Sequence, residues 1–302
     1  MTESEIFAVM IDGQVVAQDQ ARISVFDRGF LYGDSIYEVM RTYDGKIFAL
    51  REHIDRLFRS AEQVFIDIPV SKDRLSQEIL HAASLLELPN LLIRVHITRG
   101  IGPYGLDPTG ARQPTRVMIV VPLLVPSEDQ YRDGIAAALF QSQRTTDNTS
   151  AAGAKVANYL VSLLALRQAH AVGAKEAIIV DGRGRVLEGA SSNVFIVRSG
   201  VIRTPPVNEG ILSGITRSYL LKAAAHEGLE LRETSLTQTE LLDADEVFVS
   251  STTREVLPVT RIDDRTIGTG KVGPITRAIH RAFRAIGGLP AILPGNRPNS
   301  TQ

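Results

Sequence analysis

Two Asp-Gly pairs, Asp12-Gly13 and Asp44-Gly45, each interrupt an apolar segment, and shortly afterwards the chain changes to a helical period. Ile6 to Ile11 and Val15-Val16 flank the first pair; Ile36 to Tyr43 and Lys46 to Leu50 flank the second. That is the chemistry of tight turns between antiparallel strands. From Arg51 the apolar residues Ile54, Leu57, Phe58, Ala61, Val64 and Phe65 recur at spacings of three and four, which predicts a helix. A second helix is predicted from Ser71 to Glu87, then strands Leu91 to Thr98 and Arg116 to Val121. The second half predicts a helix from Val156 to Ala171, strands at Glu176 to Val180, near Val186 and at Val194 to Val197, and a helix from Ile215 to Glu227. Thr237 to Glu240 has capping-box form; a strand Glu246 to Ser250 and a helix Val272 to Ala285 follow. The pattern is that of a mixed α/β protein.

Breaks in this pattern suggest domains. Val125-Pro126-Ser127-Glu128 reads as a linker, which divides the chain into a small N-terminal α/β domain (1–124), a linker (125–135), a larger domain (136–290) and a polar tail (291–302). Gly100 to Pro114 is a Gly- and Pro-rich loop, long enough to suspect of function, and Gln141 to Ser150 reads as a polar loop. With 44% apolar residues the chain can build a sizeable core. Its 33 basic and 34 acidic residues leave a net charge of -1, against a nucleic-acid binder. No apolar run approaches the ~20 residues of a membrane span, and the acidic, polar N-terminus does not resemble a signal peptide. The expected location is the cytoplasm.

With no cysteine, thiolate chemistry and disulfides are excluded. The six histidines form no close-spaced pair, so no metal site is expected; His96 reads as a core residue. Gly268-Thr-Gly-Lys271 lacks the spacing of a phosphate loop and reads as a turn. Only six lysines are present, so any chemistry that needs an amine has few candidates. Lys155 precedes a strongly apolar segment; it fits either a solvated lysine or an amine of lowered pKa able to act as a nucleophile. Leu212-Ser-Gly-Ile-Thr-Arg217 precedes an apolar helix, as an ordinary cap or as an anion site made of free amides. Ser250-Ser-Thr-Thr253 is a second hydroxyl cluster, Glu188 could be a turn residue, and Arg56 could reach inward or be solvated.

Taken together, these strings resemble a family. Lys155-Val-Ala-Asn-Tyr159, Glu188-Gly-Ala-Ser-Ser-Asn193, Ile211-Leu-Ser-Gly-Ile-Thr-Arg217 and Ser251-Thr-Thr-Arg-Glu255-Val-Leu-Pro258 occur in the order seen in class IV pyridoxal-phosphate aminotransferases. Asp27-Arg-Gly-Phe-Leu-Tyr-Gly33, Tyr37-Glu-Val-Met-Arg41 and His53-Ile-Asp-Arg56 agree as well, so the resemblance spans roughly residues 5 to 285. It implies the two-domain fold type IV architecture of branched-chain and D-amino acid aminotransferases, with pyridoxal 5'-phosphate between the domains and a homodimer. It implies that Lys155 is the Schiff-base lysine, that Glu188 keeps the pyridine nitrogen protonated and that Tyr159 bonds the ring's phenolic oxygen. Arg56, the Ile215 amide, Thr216 and Thr252 would hold the phosphate, Leu212 would lie on the ring face, and Gly214 and Ser251 would also bind the cofactor.

For the substrate, Arg94, Tyr32, Tyr37, Arg41 and Thr253 resemble pocket positions, and Tyr104-Gly-Leu-Asp-Pro108 is similar to a loop of branched-chain enzymes. Val39 and Leu92 depart from that subgroup, whereas the wording around Tyr37 and Ser251 is closer to D-amino acid enzymes. The resemblance implies transfer of an amino group between an amino acid, branched-chain L-amino acids favoured, and 2-oxoglutarate. D-amino acid or (R)-amine transamination and an aminodeoxychorismate lyase-type reaction are the alternatives.

Overall fold

The structure, a computed structural model, describes residues 7–142 and 153–290. The first part comprises β1 (Ala8–Ile11), β2 (Gln14–Val16), α1 (Arg28–Tyr32), β3 (Ser35–Tyr43), β4 (Lys46–Ile47), α2 (Leu50–Gln63), α3 (Lys72–Ser84), β5 (Leu91–Thr98) and β6 (Arg116–Pro122). The six strands form one sheet in the order β2-β1-β6-β5-β3-β4, and every pairing is antiparallel.

Strand alternation decides what each face of this sheet does. In β5 the buried apolar residues are Leu91, Ile93, Val95 and Ile97, which pack with Ile54 and Leu57 of α2 and Leu75 and Ile79 of α3. Leu92, Arg94 and His96 are half-buried on the other face. Ile36 and Met40 of β3 join the helix-packed core. The register opposes Tyr37 to His96, Val39 to Arg94 and Arg41 to Leu92, so these six side chains share the face turned away from the helices.

The second part comprises α4 (Glu128–Asp133), β7 (Ile135–Ser142), α5 (Leu160–Ala171), β8 (Glu176–Asp181), β9 (Arg185–Gly189), β10 (Asn193–Arg198), β11 (Val201–Thr204), α6 (Ile215–His226), β12 (Leu231–Glu233), β13 (Leu236–Thr237), α7 (Gln238–Leu242), β14 (Glu246–Ser251), β15 (Glu255–Ile262), β16 (Arg265–Thr266) and α8 (Pro274–Ile286). Its sheet runs β12-β11-β10-β14-β15-β7-β8-β9-β13, with β16 attached to β15. Ile135, Ile178, Val186, Val194, Val249 and Leu257 come from six different strands yet meet in one core, which requires the sheet to curl upon itself. On its outer face Phe195 and Phe248 stack at 4.8 Å and are covered by Leu220 of α6 and Phe283 of α8. α5 seats Ala165 and Ala169 against Ala138 and Ala177.

The helix expected from Val156 starts only at Leu160. Val156 is instead bridged to Ile36, the Tyr37 amide donates to the Lys155 carbonyl at 3.1 Å, and the Ala157 amide donates to the Ser35 carbonyl at 2.9 Å. Pairing with β3 thus overrides a helical apolar pattern. The last long helix begins at Pro274 rather than Val272, since proline suits the first helical turn. Residues 128–133, within the segment read as a linker, form α4 behind a Ser127/Gln130 capping box. β7 and β15 were not legible: the first is alanine-rich, and the second carries Pro258. Most of the polar loop (143–150) and the tail (291–302) lie outside the described residues.

The capping box at Thr237 forms in both directions: its hydroxyl accepts from the Glu240 amide at 3.2 Å, and Glu240 accepts from the Thr237 amide at 2.9 Å. Thr237→Ala should therefore lower unfolding stability by about 1 kcal/mol, measured by denaturant melts. An unchanged midpoint would mean that the cap does not hold α7.

Candidate active site

Between the helix-free face of the first sheet and the second part of the chain lies a cavity of about 440 Å³. Its walls are β3 and β5, the extended segment 154–159, the β9–β10 connection, the segment leading into α6, and the β14–β15 turn. Of the residues singled out from sequence, Lys155, Arg56, Tyr159, Glu188, Leu212, Gly214, Ile215, Thr216, Ser251, Thr252, Tyr37, Arg94 and Thr253 all line it.

Lys155 is presented by the extended segment that pairs with β3. Its amide donates to Ser60 Oγ at 3.0 Å, and its Nζ donates to Tyr37 Oη at 2.8 Å. Burial, reinforced by the Arg56 and Arg94 guanidinium groups, pushes the amine down to about 8 against the opposing pull of Glu38 and Glu188. Across the cavity burial raises the Glu188 carboxyl to about 7, although it accepts the Leu212 amide at 3.1 Å and feels the Lys155 charge. An amine made partly neutral and a carboxyl made partly protonated face one space. Such opposed shifts mark places where a proton can be exchanged near neutral pH.

One end of the cavity is built for an anion. α6 begins at Gly214 with no side-chain cap, leaving its first amides to whatever lies before it. Gly214 is needed there, because a Cβ would lie 2.1 Å from Asn193 Oδ1. Asn193 in turn donates to the Leu212 carbonyl at 2.9 Å and holds the approach to the helix. Buried Thr216 lines the same end, and the buried Ser250 hydroxyl, on the adjoining strand, has no partner. Arg56 reaches this end from α2, donating to Glu38 at 2.6 and 2.8 Å and to the Ser213 carbonyl at 2.9 Å. Glu38 also meets His53 Nδ1 at 2.7 Å. Burial alone would raise Glu38, but Arg56 and His53 overcome it and hold the carboxyl near 2.

At the other end, the Arg94 guanidinium lies 4.8 Å from the Tyr37 ring centre and 5.1 Å from that of Tyr159. It forms no ion pair with a carboxylate among the described residues. Val39 and Leu92 form an apolar wall beside it.

Two of the residues picked from sequence lie elsewhere. Arg41 shares the cavity-side parity of β3 but sits beyond the cavity, over the Tyr43 ring at 3.8 Å and 3.3 Å from Glu255 Oε1. It is committed to a buried acid and does not line this cavity. Tyr32 accepts the Gly105 amide at 2.9 Å through its hydroxyl and carries the Arg28 guanidinium on its ring, fixing the 100–114 loop rather than lining the cavity. His96, read as a core residue, is half-buried on the cavity-side face and accepts from Arg94 Nε. Glu38 was missed, Asn193 appeared only as the end of a family-like string, and Ser250 only as part of a hydroxyl cluster. A carboxylate between Ile36 and Met40 in an apolar strand carried the same signal as Arg94 and could have been found. No cluster of three or more potential metal ligands exists among the described residues.

Comparison with known proteins agrees with this geometry. The family description "Amino-transferase class IV" matches residues 35–262. A protein of Methanocaldococcus jannaschii named "Putative branched-chain-amino-acid aminotransferase" is 41% identical over 92% of this chain and 96% of its own. The D-alanine aminotransferase of Bacillus licheniformis is 34% identical over 91% of this chain and 95% of its own. Among solved structures, a branched-chain amino acid aminotransferase complexed with N-(5'-phosphopyridoxyl)-L-glutamate, its source given as T.th., superposes with a TM-score of 0.86. It is 30% identical and covers 93% of this chain and 94% of that one. With its mixed α/β fold, its cavity and these matches, the chain belongs to the class IV aminotransferase family.

Proposed function

We propose that the protein is a pyridoxal-phosphate-dependent transaminase that moves an amino group between a branched-chain L-amino acid and 2-oxoglutarate. One observation carries the reading: the lowered Lys155 amine and the raised Glu188 carboxyl share a cavity with the uncapped N-terminus of α6. The residues present fit the cofactor. The free amides of Ile215 and Thr216, the Thr216 and Thr252 hydroxyls and Arg56 suit its phosphate, with Gly214 allowing close approach and with Ser251 and the unpartnered Ser250 hydroxyl beside it. Glu188 suits the ring nitrogen, Tyr159 the ring oxygen, and Leu212 a ring face.

When bound, pyridoxal phosphate supplies an electron sink for the charge left as the substrate Cα loses its proton. Lys155 does the proton work. An amine near 8 is partly neutral at physiological pH, so Nζ would be the group that holds the cofactor and that takes the substrate's Cα proton and gives it back. The Tyr37 hydroxyl, kept protonated by burial, orients Nζ. Glu188, bonded by the Leu212 amide, would hold the cofactor's ring nitrogen and, as a carboxylate, balance its positive charge. Arg94 reads a substrate carboxylate, since a half-buried guanidinium without an acid partner retains donors for one. Val39, Leu92 and Tyr37 offer apolar surface to a branched side chain.

A D-amino acid donor is the second reading, favoured by the 34% identity to a D-alanine aminotransferase. Exposed apolar side chains such as Phe26, Phe30, Leu160 and Leu163 support a homodimer. We read the cavity as lying between domains 1–124 and 136–290. Among the described residues no helix is long and apolar enough to cross a membrane.

Two experiments test the reading. With 15N-labelled L-leucine and 2-oxoglutarate, label should appear in glutamate; label that stays in leucine would contradict the reading, and transfer from D-leucine alone would favour the second one. In the same assay Arg94→Leu should raise the Michaelis constant for 2-oxoglutarate about 10- to 100-fold, the loss of one charge-assisted contact. An unchanged constant would make Arg94 structural. Separately, Glu188→Gln should fold and keep cofactor yet lose most turnover, because an amide cannot balance a pyridinium charge; near-normal kcat would assign the ring nitrogen to another group.

A further inference from the structure

β5 presents His96 two residues from Arg94 on the same face, and His96 stands opposite Tyr37 across the β3–β5 register. Its ring stacks on Tyr37 with centres 5.6 Å apart and planes 23° from parallel. Arg94 folds back along the strand over that same tyrosine, so its Nε meets His96 Nε2. Nε of an arginine is always a donor, so Nε2 must be the bare nitrogen of a neutral imidazole. Burial and the adjacent guanidinium hold His96 in that form, down to about 4. Arg94 is thereby held from two sides, by tyrosine faces and by an acceptor on its own strand, with no carboxylate spent on it.

A guanidinium can bind a carboxylate bidentately through Nε with one Nη, or through both Nη groups. His96 occupies Nε and leaves only the second mode. From this geometry we infer that His96 is a positioning and specificity residue: it fixes Arg94 so that its two Nη groups grip the distal carboxylate of a dicarboxylic substrate. The inference rests on the transaminase reading and adds to it the residue that holds Arg94 in place. A carboxylate in the place of His96 would neutralise Arg94, whereas a neutral acceptor orients the guanidinium and keeps its full charge for the ligand. The cross-strand neighbours of His96 are Tyr37 on β3 and Val117 on β6, and neither carries a competing charge.

The test uses the purified, cofactor-loaded protein with His96→Leu, His96→Gln and Arg94→Leu variants. Binding of glutarate and of butyrate is measured by calorimetry, and the Michaelis constants of 2-oxoglutarate and pyruvate are measured with one amino donor. His96→Leu should weaken glutarate binding and raise the 2-oxoglutarate constant about tenfold, the scale of one oriented charge-assisted contact. The ratio of the 2-oxoglutarate to the pyruvate constant should rise with it. His96→Gln, whose amide oxygen can accept from Nε, should recover most of the loss. Equal losses for both ligand classes, or a Gln variant no better than Leu, would overturn the positioning role even if Arg94→Leu abolishes glutarate binding. Glutarate binding that survives Arg94→Leu unchanged would instead remove the anion site, and both the carboxylate reading and this inference with it.

Discussion

The site depends first on the buried ion pair between Arg56 and Glu38. A carboxylate buried on the helix-packed face of an antiparallel sheet is costly unless fully bonded, and Glu38 meets that condition through both Arg56 contacts and His53. The bonds lock α2 onto β3. The remaining Arg56 Nη1 reaches the Ser213 carbonyl, so the same guanidinium ties the first sheet to the approach of α6. One turn further along α2, Ser60 accepts the Lys155 amide. Residues four apart share a helix face, and here that face holds both the approach to α6 and the backbone of Lys155.

With the frame fixed, the electrostatics follow from burial. Lys155 and Glu188 are each pushed towards neutrality by desolvation, and each is drawn back by the other's charge. On the proposed reading, the cavity would take a ligand that brings its own charges: a phosphate for the α6 amides, a positive ring nitrogen for Glu188 and a carboxylate for Arg94. The two perturbed groups, Lys155 and Glu188, both line the space that such a ligand would fill.

Much of this was legible in the sequence because it depends on local chemistry. The Leu-Ser-Gly-Ile-Thr string gives the uncapped start of α6, and period-two apolar residues give β5 with Arg94 within it. Longer-range contacts hid the rest. Residues 154–159 read as helix because their apolar spacing is helical, yet pairing with β3 at Ile36 holds them extended. Arg41 resembled a pocket residue, but Glu255, distant in sequence, claims it. His96 reads as a core residue because its strand is apolar; which face of the strand meets a cavity depends on the helices covering the other one. Glu38 was overlooked although its strand context matched that of Arg94.

The central claim is that Lys155 is the amine that bonds the cofactor, and it can be tested by reductive trapping. Protein saturated with pyridoxal phosphate is reduced with borohydride, digested and mapped by mass spectrometry. The account predicts one phosphopyridoxyl mass increment, on the peptide containing Lys155, and its loss in Lys155→Ala. Stoichiometric labelling of Lys175 or Lys222 in place of Lys155 would contradict it.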